Sequence, residues 1–234
     1  ELHKWRKKKT TRKILVSIGG WTLSRFFAEA ASAGKRASVA SSCANFIKKY
    51  KLDGIDLDWE FPISGGNSAD YEINAASTEE EKNAVRAIMP MLHRTASNET
   101  QGDNDYINFV EFVKELRQAL GSEYLLTLAG PPSLRPPKSE LSKNSDIQNF
   151  KARLNVKALS EHVDFINMMN YDYFGHFSDR AAHHSSLFED VNNPINSSYN
   201  VNNMINDYLA LGAPANKLVM GVPLYGRGIK VKKL

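Results

Sequence analysis

Five short apolar runs constrain the fold of this chain more than any other feature of its sequence. The runs are ILVSIGG (14–20), GIDLDW (54–59), YLLTLAG (124–130), DFINMMNY (164–171) and LVMGVPLYG (218–226). None of them shows the long polar/apolar alternation of a sheet with one face in water. Each run therefore predicts a strand that is buried on both faces, as in a parallel sheet covered by helices.

Segments with helical periodicity separate these runs. They are SVASSCANFIKKYK (38–51), INFVEFVKELRQALG (107–121), DIQNFKARLNVKALSEHV (146–163) and YNVNNMINDYLALG (199–212). Gly121 and Gly212 are predicted to end two of these helices. Strands that alternate with helices favour βαβ units and an α/β fold. The polar, weakly patterned region 64–105 predicts an insertion after the second strand.

Two α/β architectures fit this order of elements. An eight-stranded (β/α)8 barrel averages about 250 residues, but the strands of this chain recur at longer intervals than usual for such a barrel. A doubly wound open sheet has the same alternation, and periodicity does not separate the two. The segment SIGGW (17–21) lacks the G-x-G-x-x-G spacing of a dinucleotide-binding turn, so that kind of open sheet is unsupported.

Charge and cysteine content exclude several function classes. The net charge of +4 comes largely from one basic run, HKWRKKKTTRK (3–13). No nucleic-acid-binding motif accompanies this run, so we read it as a solvated helix face and predict no nucleic-acid partner. Cys43 is the single cysteine, which excludes an internal disulfide. The sequence contains no apolar span of 18 residues, so it predicts no membrane helix, and we identify no signal peptide at Glu1. Glycosylation sequons begin at Asn98 and Asn196.

The segment LDGIDLDWEFP (52–62) places acids inside an apolar strand. Successive side chains of a strand point to opposite faces, so Asp56, Asp58 and Glu60 project together, each about 6.6 Å from the next. The opposite face carries the apolar side chains that should pack against helices: Ile55, Leu57 and Trp59. The sequence therefore predicts a row of three carboxyl groups on one face of a buried strand.

Three carboxyl groups in a row do not all ionise at low cost, because repulsion and desolvation raise at least one pKa. An edge strand with surface acids fits badly with the apolar partners. A divalent-metal site with Asp172 as a further ligand is an open alternative. We favour an acid tuned for general catalysis at Glu60, without a metal, since barrel enzymes place their chemistry at the carboxyl ends of strands. Asp53, beside Gly54, is expected to brace the entrance of the strand.

This stretch resembles the signature of the chitinases of glycoside hydrolase family eighteen, D-G-[apolar]-D-[apolar]-D-x-E. Asp53 to Glu60 fill every position of that signature. Three further family motifs occur in the expected order along the chain. They are S-x-G-G-W at residues 17–21, M-x-Y-D at residues 169–172 and Y-G-R at residues 225–227.

The resemblance implies a (β/α)8 TIM-type barrel, of which about five of eight strands are present. Residues 1–234 would form a single segment of the catalytic barrel that lacks the first two strands and the last. The implied activity is hydrolysis of β-1,4 bonds in chitin or N-acetylglucosamine oligomers, with retention and without a cofactor. The resemblance also implies a monomeric protein, secreted in its full-length form, with a chito-oligosaccharide as its substrate.

The resemblance assigns a role to each acid. Glu60 would protonate the glycosidic oxygen, and the N-acetyl carbonyl of the substrate would act as the nucleophile. Asp58 would accept a hydrogen bond from the acetamide N–H, and Asp56 would hold Asp58 with help from Ser17. Tyr171 would donate its hydroxyl to the acetamide oxygen and orient it for attack.

Further positions are expected to bind the sugar. The resemblance assigns the lining of the sugar pocket to Met169, Asp172, Tyr225 and Arg227. Trp21 and Phe61 are expected to stack on sugar rings. The alternative for Trp21 is a core position, because tryptophan is highly buried on average. The loop histidines His183 and His184 either border the cleft or are incidental.

Two other functions stay open at this point. Some members of the family keep the barrel and bind sugar without cutting it, but they typically lose the terminal acid, which is present here as Glu60. A third possibility stays within the enzyme class: an endo-acting N-glycan glycosidase (an endo-β-N-acetylglucosaminidase) or a lysozyme-like enzyme. Turnover on chitin oligomers, peptidoglycan and high-mannose glycans would separate these enzymes.

Overall fold

A computed structural model of the protein describes residues 2–9, 11–62, 104–134, 154–176, 178, 181–189 and 199–228. The predicted insertion 64–105 lies outside the described residues, apart from its last two positions, which belong to a helix. Both sequons and the first part of the helical segment 146–163 also lie outside them. Within the described residues, no helix is both long and apolar enough to cross a bilayer.

Five strands form one sheet in the order β1-β2-β3-β4-β5, with parallel pairing of β1 with β2 and of β4 with β5. Their bounds are β1 Leu15–Gly19, β2 Gly54–Asp58, β3 Leu125–Gly130, β4 Phe165–Met168 and β5 Leu218–Met220. Each strand lies inside one of the five predicted runs, which confirms the prediction of an α/β fold with a parallel sheet. Strand β5 is shorter than its run: the Gly221 N–H still donates to the Met168 carbonyl at 3.0 Å, but Pro223 has no N–H to donate.

Six α-helices and two short 3-10 helices, Ser24–Phe26 and Ala215–Lys217, accompany the strands in the described part of the chain. Their bounds are α1 Leu2–Lys7, α2 Phe27–Ala31, α3 Arg36–Tyr50, α4 Asn104–Leu120, α5 Val156–His162 and α6 Val201–Ala210. Gly121 and Gly212 take positive φ angles of 71° and 89° just after α4 and α6, as predicted for residues that end a helix. The short helix α2 was not predicted, because five residues are too few to show a periodic pattern.

The chain divides into two compact units, Glu1–Thr127 and Leu128–Leu234, with the boundary inside β3. In the first unit, Trp59 is 2% exposed and stacks on Phe27 at a centroid distance of 5.3 Å. The edge of the Phe109 ring of α4 meets Trp59 at 5.2 Å. Trp59 is therefore a core residue, on the face of β2 opposite the acids.

The second unit has its own core around Tyr208 of α6, which is 1% exposed. A side chain on Gly130 at the end of β3 would lie 2.7 Å from the Tyr208 hydroxyl and 2.8 Å from a methyl group of Ile166. Only glycine allows α6 to approach the sheet this closely. The assignment of residues 1–234 to one barrel segment stays a prediction.

Candidate active site

The register between β1 and β2 determines what surrounds the acids. Ser17 pairs with Asp56, and Gly19 pairs with Asp58. In β2 and just after it, Asp56, Asp58 and Glu60 are partly buried, while the alternating apolar residues are fully buried. The acids therefore share the face opposite the core, as the period of a strand requires.

Two hydroxyl groups hold Asp56. The Ser17 hydroxyl donates to Oδ2 of Asp56 at 2.8 Å, and the Thr127 hydroxyl of β3 donates to Oδ1 at 2.5 Å. Thr127 has no exposed surface, so its hydrogen bond is shielded from water. Because both carboxylate oxygens accept a hydrogen bond, the orientation of Asp56 is well defined.

Asp58 has a different environment. Burial, and secondly the charge of Asp56, raise the pKa of Asp58 to about 6. Oδ1 of Asp58 is buried and accepts no hydrogen bond from any residue that the structure describes. The neighbouring carboxyl groups thus differ: both oxygens of Asp56 accept hydrogen bonds, whereas burial and the nearby Asp56 favour the protonated form of Asp58.

A double-glycine turn at the end of β1 brings the backbone close to Asp58. Gly19 and Gly20 have φ angles of 108° and 87°, a region that favours glycine. The Gly20 N–H donates to the carbonyl oxygen of Asp58 at 2.8 Å. A Cβ on Gly19 would lie 2.2 Å from that same oxygen. The glycines of the S-x-G-G-W motif are therefore required for the contact between β1 and the acid-bearing strand.

Glu60 lies two residues beyond the end of β2 and is partly buried. Its backbone N–H donates to the hydroxyl of Ser24 at 2.9 Å, and the peptide bond between Glu60 and Phe61 is cis. Phe61 is partly buried, and Trp21 is 48% exposed. That exposure excludes the alternative of a core position for Trp21 and leaves much of its ring accessible to a ligand.

Asp53 lies just before the amino end of β2, away from Asp56, Asp58 and Glu60 along the strand. Its carboxylate accepts hydrogen bonds from the Arg6 guanidinium at 2.7 Å and from the Ile14 N–H at 2.8 Å. Burial alone would raise the pKa of Asp53, but the Ile14 N–H and the nearby cations of Arg6 and Lys13 outweigh burial and lower it. These contacts connect helix α1 and strand β1 to the start of β2.

In the second unit, the M-x-Y-D motif ends in a carboxylate with several partners. Asp172 has a left-handed backbone, with φ of 59°. Arg227 donates to both oxygens of Asp172, at 2.7 and 2.6 Å, and the Tyr225 hydroxyl donates to Oδ1 at 2.8 Å. The Arg227 hydrogen bond lowers the pKa of Asp172 against the smaller effect of burial. Burial and the bond to Asp172 raise the pKa of Tyr225 to about 12, so its hydroxyl keeps its proton.

The aromatic ring of Tyr171 lies beside this ion pair. Its centroid is 6.1 Å from that of Tyr225, in an edge-on arrangement. The Met169 N–H donates to the Gly130 carbonyl at 3.0 Å, which ties the start of the motif to the end of β3. The structure thus brings Tyr171, Asp172, Tyr225 and Arg227 together within the second unit.

Sequence reasoning missed the roles of three polar side chains near these groups: Ser24, Thr127 and His184. Thr127 was detectable, as a single hydroxyl within the apolar run YLLTLAG. His184 was noted but given no role. Its Nδ1 lies 3.4 Å from the Asp172 backbone nitrogen, and its Nε2 lies 3.2 Å from the Tyr225 carbonyl oxygen. These loop contacts join residues 12 and 41 positions apart, so no local pattern marks them.

The described residues hold no group of three or more His, Cys, Asp or Glu side chains that could bind a metal ion. Within the acid row, the hydroxyl groups of Ser17 and Thr127 hold Asp56. A parallel α/β sheet that ends in a row of carboxyl groups is the arrangement of an enzyme that uses acid–base chemistry.

Comparison with known proteins identifies the family. The family model described as Glycosyl hydrolases family 18 matches residues 1–234. The chain is 32% identical to Chitinase A1 of Niallia circulans, over 97% of this chain and 28% of the relative. The chitinase ChiA74 of Bacillus thuringiensis has a similar structure, with a TM-score of 0.70, 28% identity, and coverage of 95% of this chain and 30% of that one.

A third comparison includes a bound sugar. Catalytic domain 2 of the Group II chitinase of Ostrinia furnacalis, a mutant in complex with penta-N-acetylchitooctaose, has a TM-score of 0.67 and 25% identity. The match covers 94% of this chain and 47% of that structure. The chain spans less than half the length of the first curated relatives it matches. This chain belongs to family 18 of the glycosyl hydrolases, and its partial sheet is consistent with the TIM-type barrel of that family.

Proposed function

We propose that the protein containing this chain hydrolyses β-1,4 bonds in chitin and N-acetylglucosamine oligomers. The observation that carries the proposal is the acid row of β2, in which Asp56 is held by two hydroxyls beside an Asp58 whose pKa is raised to about 6. The family relatives named chitinases, and the bound chito-oligosaccharide in one similar structure, support this substrate class.

Glu60 is the proposed general acid. In the first step its proton passes to the glycosidic oxygen, and the bond between that oxygen and the anomeric carbon breaks. The acetamide oxygen of the same sugar attacks the anomeric carbon and forms an oxazolinium ion. The sugar forms no covalent bond with the protein in this step. In the second step, Glu60 takes a proton from water as the water attacks the anomeric carbon, and the retained configuration results.

Asp58 is the proposed partner of the acetamide. Its carboxyl group accepts a hydrogen bond from the acetamide N–H and stabilises the positive charge that develops on the ring. Asp56, which Ser17 and Thr127 hold in place, shares the proton of Asp58, so Asp58 can carry negative charge beside the acetamide. Tyr171 donates to the acetamide oxygen and limits its orientations before attack.

The remaining assigned residues are proposed to bind the sugar chain. Trp21 and Phe61 offer aromatic faces for sugar rings. Met169, Asp172, Tyr225 and Arg227 are proposed as the sugar-binding group of the second unit. The proposal involves no cofactor, metal, nucleic acid or membrane, and it assumes a monomer. Because a chitin polymer is too large to enter a cell, the proposed place of action is extracellular.

Glu60→Gln in the full-length protein tests the acid assignment. We expect kcat on an N-acetylglucosamine oligomer to fall about 100- to 10,000-fold, since the amide cannot donate the proton. Binding of the oligomer, measured by calorimetry, should persist. Glu29→Gln is the matched control, because Glu29 is a surface glutamate of α2 that pairs with Lys35 at 3.2 Å.

Unchanged hydrolysis by Glu60→Gln would refute the assignment. Binding without turnover by the wild-type protein would instead indicate a sugar-binding lectin of the family. Fully deacetylated oligomers test substrate assistance separately, since they lack the acetamide nucleophile. Cleavage of these oligomers at the same rate as the acetylated ones would contradict the proposed mechanism.

A further inference from the structure

Ser24 has an unusual concentration of hydrogen bonds beside the acid row. It is the first residue of a short 3-10 helix, Ser24–Phe26, which follows the turn after β1, and it is 1% exposed. Its hydroxyl accepts the N–H of Glu60 at 2.9 Å. Its single proton is directed at two carbonyl oxygens, those of Gly20 at 2.8 Å and Asp58 at 3.0 Å. Three backbone groups from two segments of the chain therefore meet at one oxygen atom.

These bonds connect the two acids through the backbone. The Asp58 carbonyl and the Glu60 N–H lie on either side of Trp59, and the Ser24 oxygen bridges them. Strand β2 ends at Asp58, so Ser24 supplies the acceptor for an amide that lies beyond the end of the strand. The Gly20 N–H binds the same Asp58 carbonyl from the turn of β1. The bridge therefore limits how far Glu60 can move relative to Asp58.

The opposite side of Trp59 completes this restraint. Its indole packs between Phe27 and Phe109 in the core of the first unit. Trp59, between the two acids, is thus held in two ways. Its side chain is packed in the core, and the backbone groups on either side of it are bridged by the Ser24 hydroxyl. A shift of Glu60 would have to break the bridge or displace a packed tryptophan.

We propose that Ser24 is a positioning residue, whose hydroxyl sets the placement of the Glu60 carboxyl relative to Asp58. This inference rests on the proposed function, in which Glu60 protonates the leaving group and Asp58 orients the acetamide. The side chain of Ser24 is directed at backbone groups of the protein, so it acts through Glu60. A misplacement of about 1 Å costs about 100-fold in rate when geometry limits catalysis.

The experiment compares two kinds of substrate in the full-length protein. One is an N-acetylglucosamine oligomer, whose leaving sugar needs protonation. The other is a 2,4-dinitrophenyl glycoside of the same N-acetylglucosamine oligomer, whose dinitrophenolate leaving group departs without a proton. Ser24→Ala should lower kcat on the oligomer about 10- to 100-fold, with KM within about twofold of wild type. The loss on the dinitrophenyl substrate should be several times smaller, because the displaced acid is not needed for that bond to break.

Ser160→Ala is the matched control. Ser160 is also nearly fully buried, at 2% exposure, and its hydroxyl donates to the Val156 carbonyl inside α5. The Ser160→Ala variant removes the same atom from a similar environment, so it measures the effect of losing any buried hydroxyl group. It should leave the ratio of the two activities at its wild-type value. Ser24→Thr, which keeps the hydroxyl, should recover most of the oligomer activity and provides the test if Ser24→Ala does not fold.

The outcomes separate this inference from the proposed function. If the wild-type protein cleaves neither substrate, the proposed function is wrong. If the wild type cleaves both and Ser24→Ala loses the same factor on each, or loses nothing, Ser24 does not position the acid. An equal loss in Ser24→Thr and Ser24→Ala would also overturn the inference, because the hydroxyl would then have no specific role.

Discussion

The raised pKa of Asp58 predicts how the stability of the chain depends on pH. The substitution is Asp58→Asn, which keeps the shape of the side chain and removes its charge. A carboxyl whose pKa is higher in the folded state stabilises the fold fully below its unfolded value of 3.8. That stabilisation is lost as the pH rises through about 6, the folded value. An asparagine side chain does not ionise in this pH range, so the stability of the variant should not fall as the pH rises through about 6.

The magnitude follows from the size of the shift. A rise from 3.8 to about 6 corresponds to about 3 kcal/mol, at about 1.4 kcal/mol for each pKa unit. Asp58 is only partly buried, and solvent screening reduces the electrostatic cost at such a site. We therefore expect Asp58→Asn to gain about 1 to 2 kcal/mol over wild type between about pH 4 and about pH 7.

Urea unfolding of both proteins at the two pH values measures this difference. Asp53→Asn is a control of opposite sign, because the pKa of Asp53 is lowered in the folded state. Asp53 stabilises the fold above its unfolded pKa, and this contribution is lost as the pH falls through its folded value. Asp53→Asn should therefore lose more stability at about pH 7 than at about pH 4. If Asp58→Asn and wild type change equally between the two pH values, burial does not disfavour the Asp58 anion and the reasoning fails.

Three further substitutions test other contacts. Gly19→Ala should lower the free energy of unfolding by at least about 2 kcal/mol, measured in urea, because a Cβ there would lie 2.2 Å from the Asp58 carbonyl oxygen; a neutral result would contradict the required glycine. Lys217→Met should cost about 2 kcal/mol in the same assay, since the amine donates to two backbone carbonyls at the end of α5, each at 2.7 Å. Arg227→Lys should raise the pKa of Asp172, followed by carbon-13 NMR of the carboxyl, because lysine cannot reproduce the two-point contact; an unchanged titration would exclude Arg227 as the main cause.

The sheet and its acid-bearing face were predictable because both depend on local periodicity. In residues 54–60 the alternation of apolar and acidic residues is visible without any knowledge of the fold, and a strand can bury only one of the two sets in a helix-covered core. The S-x-G-G-W motif likewise pointed to Ser17 as a partner of Asp56. That hydrogen bond follows from the register of β1 and β2.

The contacts that sequence reasoning missed depend on distant segments. Thr127 reaches Asp56 across 71 positions of the chain, and Ser24 reaches Glu60 across 36. A hydroxyl side chain carries no periodic signal, and its partner is defined only once two strands are side by side. The contact of His184 with the Asp172 turn is of the same kind, since it depends on the path of a loop rather than on a repeat.

The turn of Gly19 and Gly20 has a consequence for anyone who wishes to transplant the acid-bearing strand to another protein. The peptide LDGIDLDWEFP looks like a portable cassette, yet the conformation of its outer end is specified by backbone groups and a hydroxyl that belong to residues 19–24. Grafted alone onto another scaffold, the cassette would carry the acids without their alignment. A transfer would need β1 with residues 20–24, and β3 as well, because Thr127 of β3 holds Asp56.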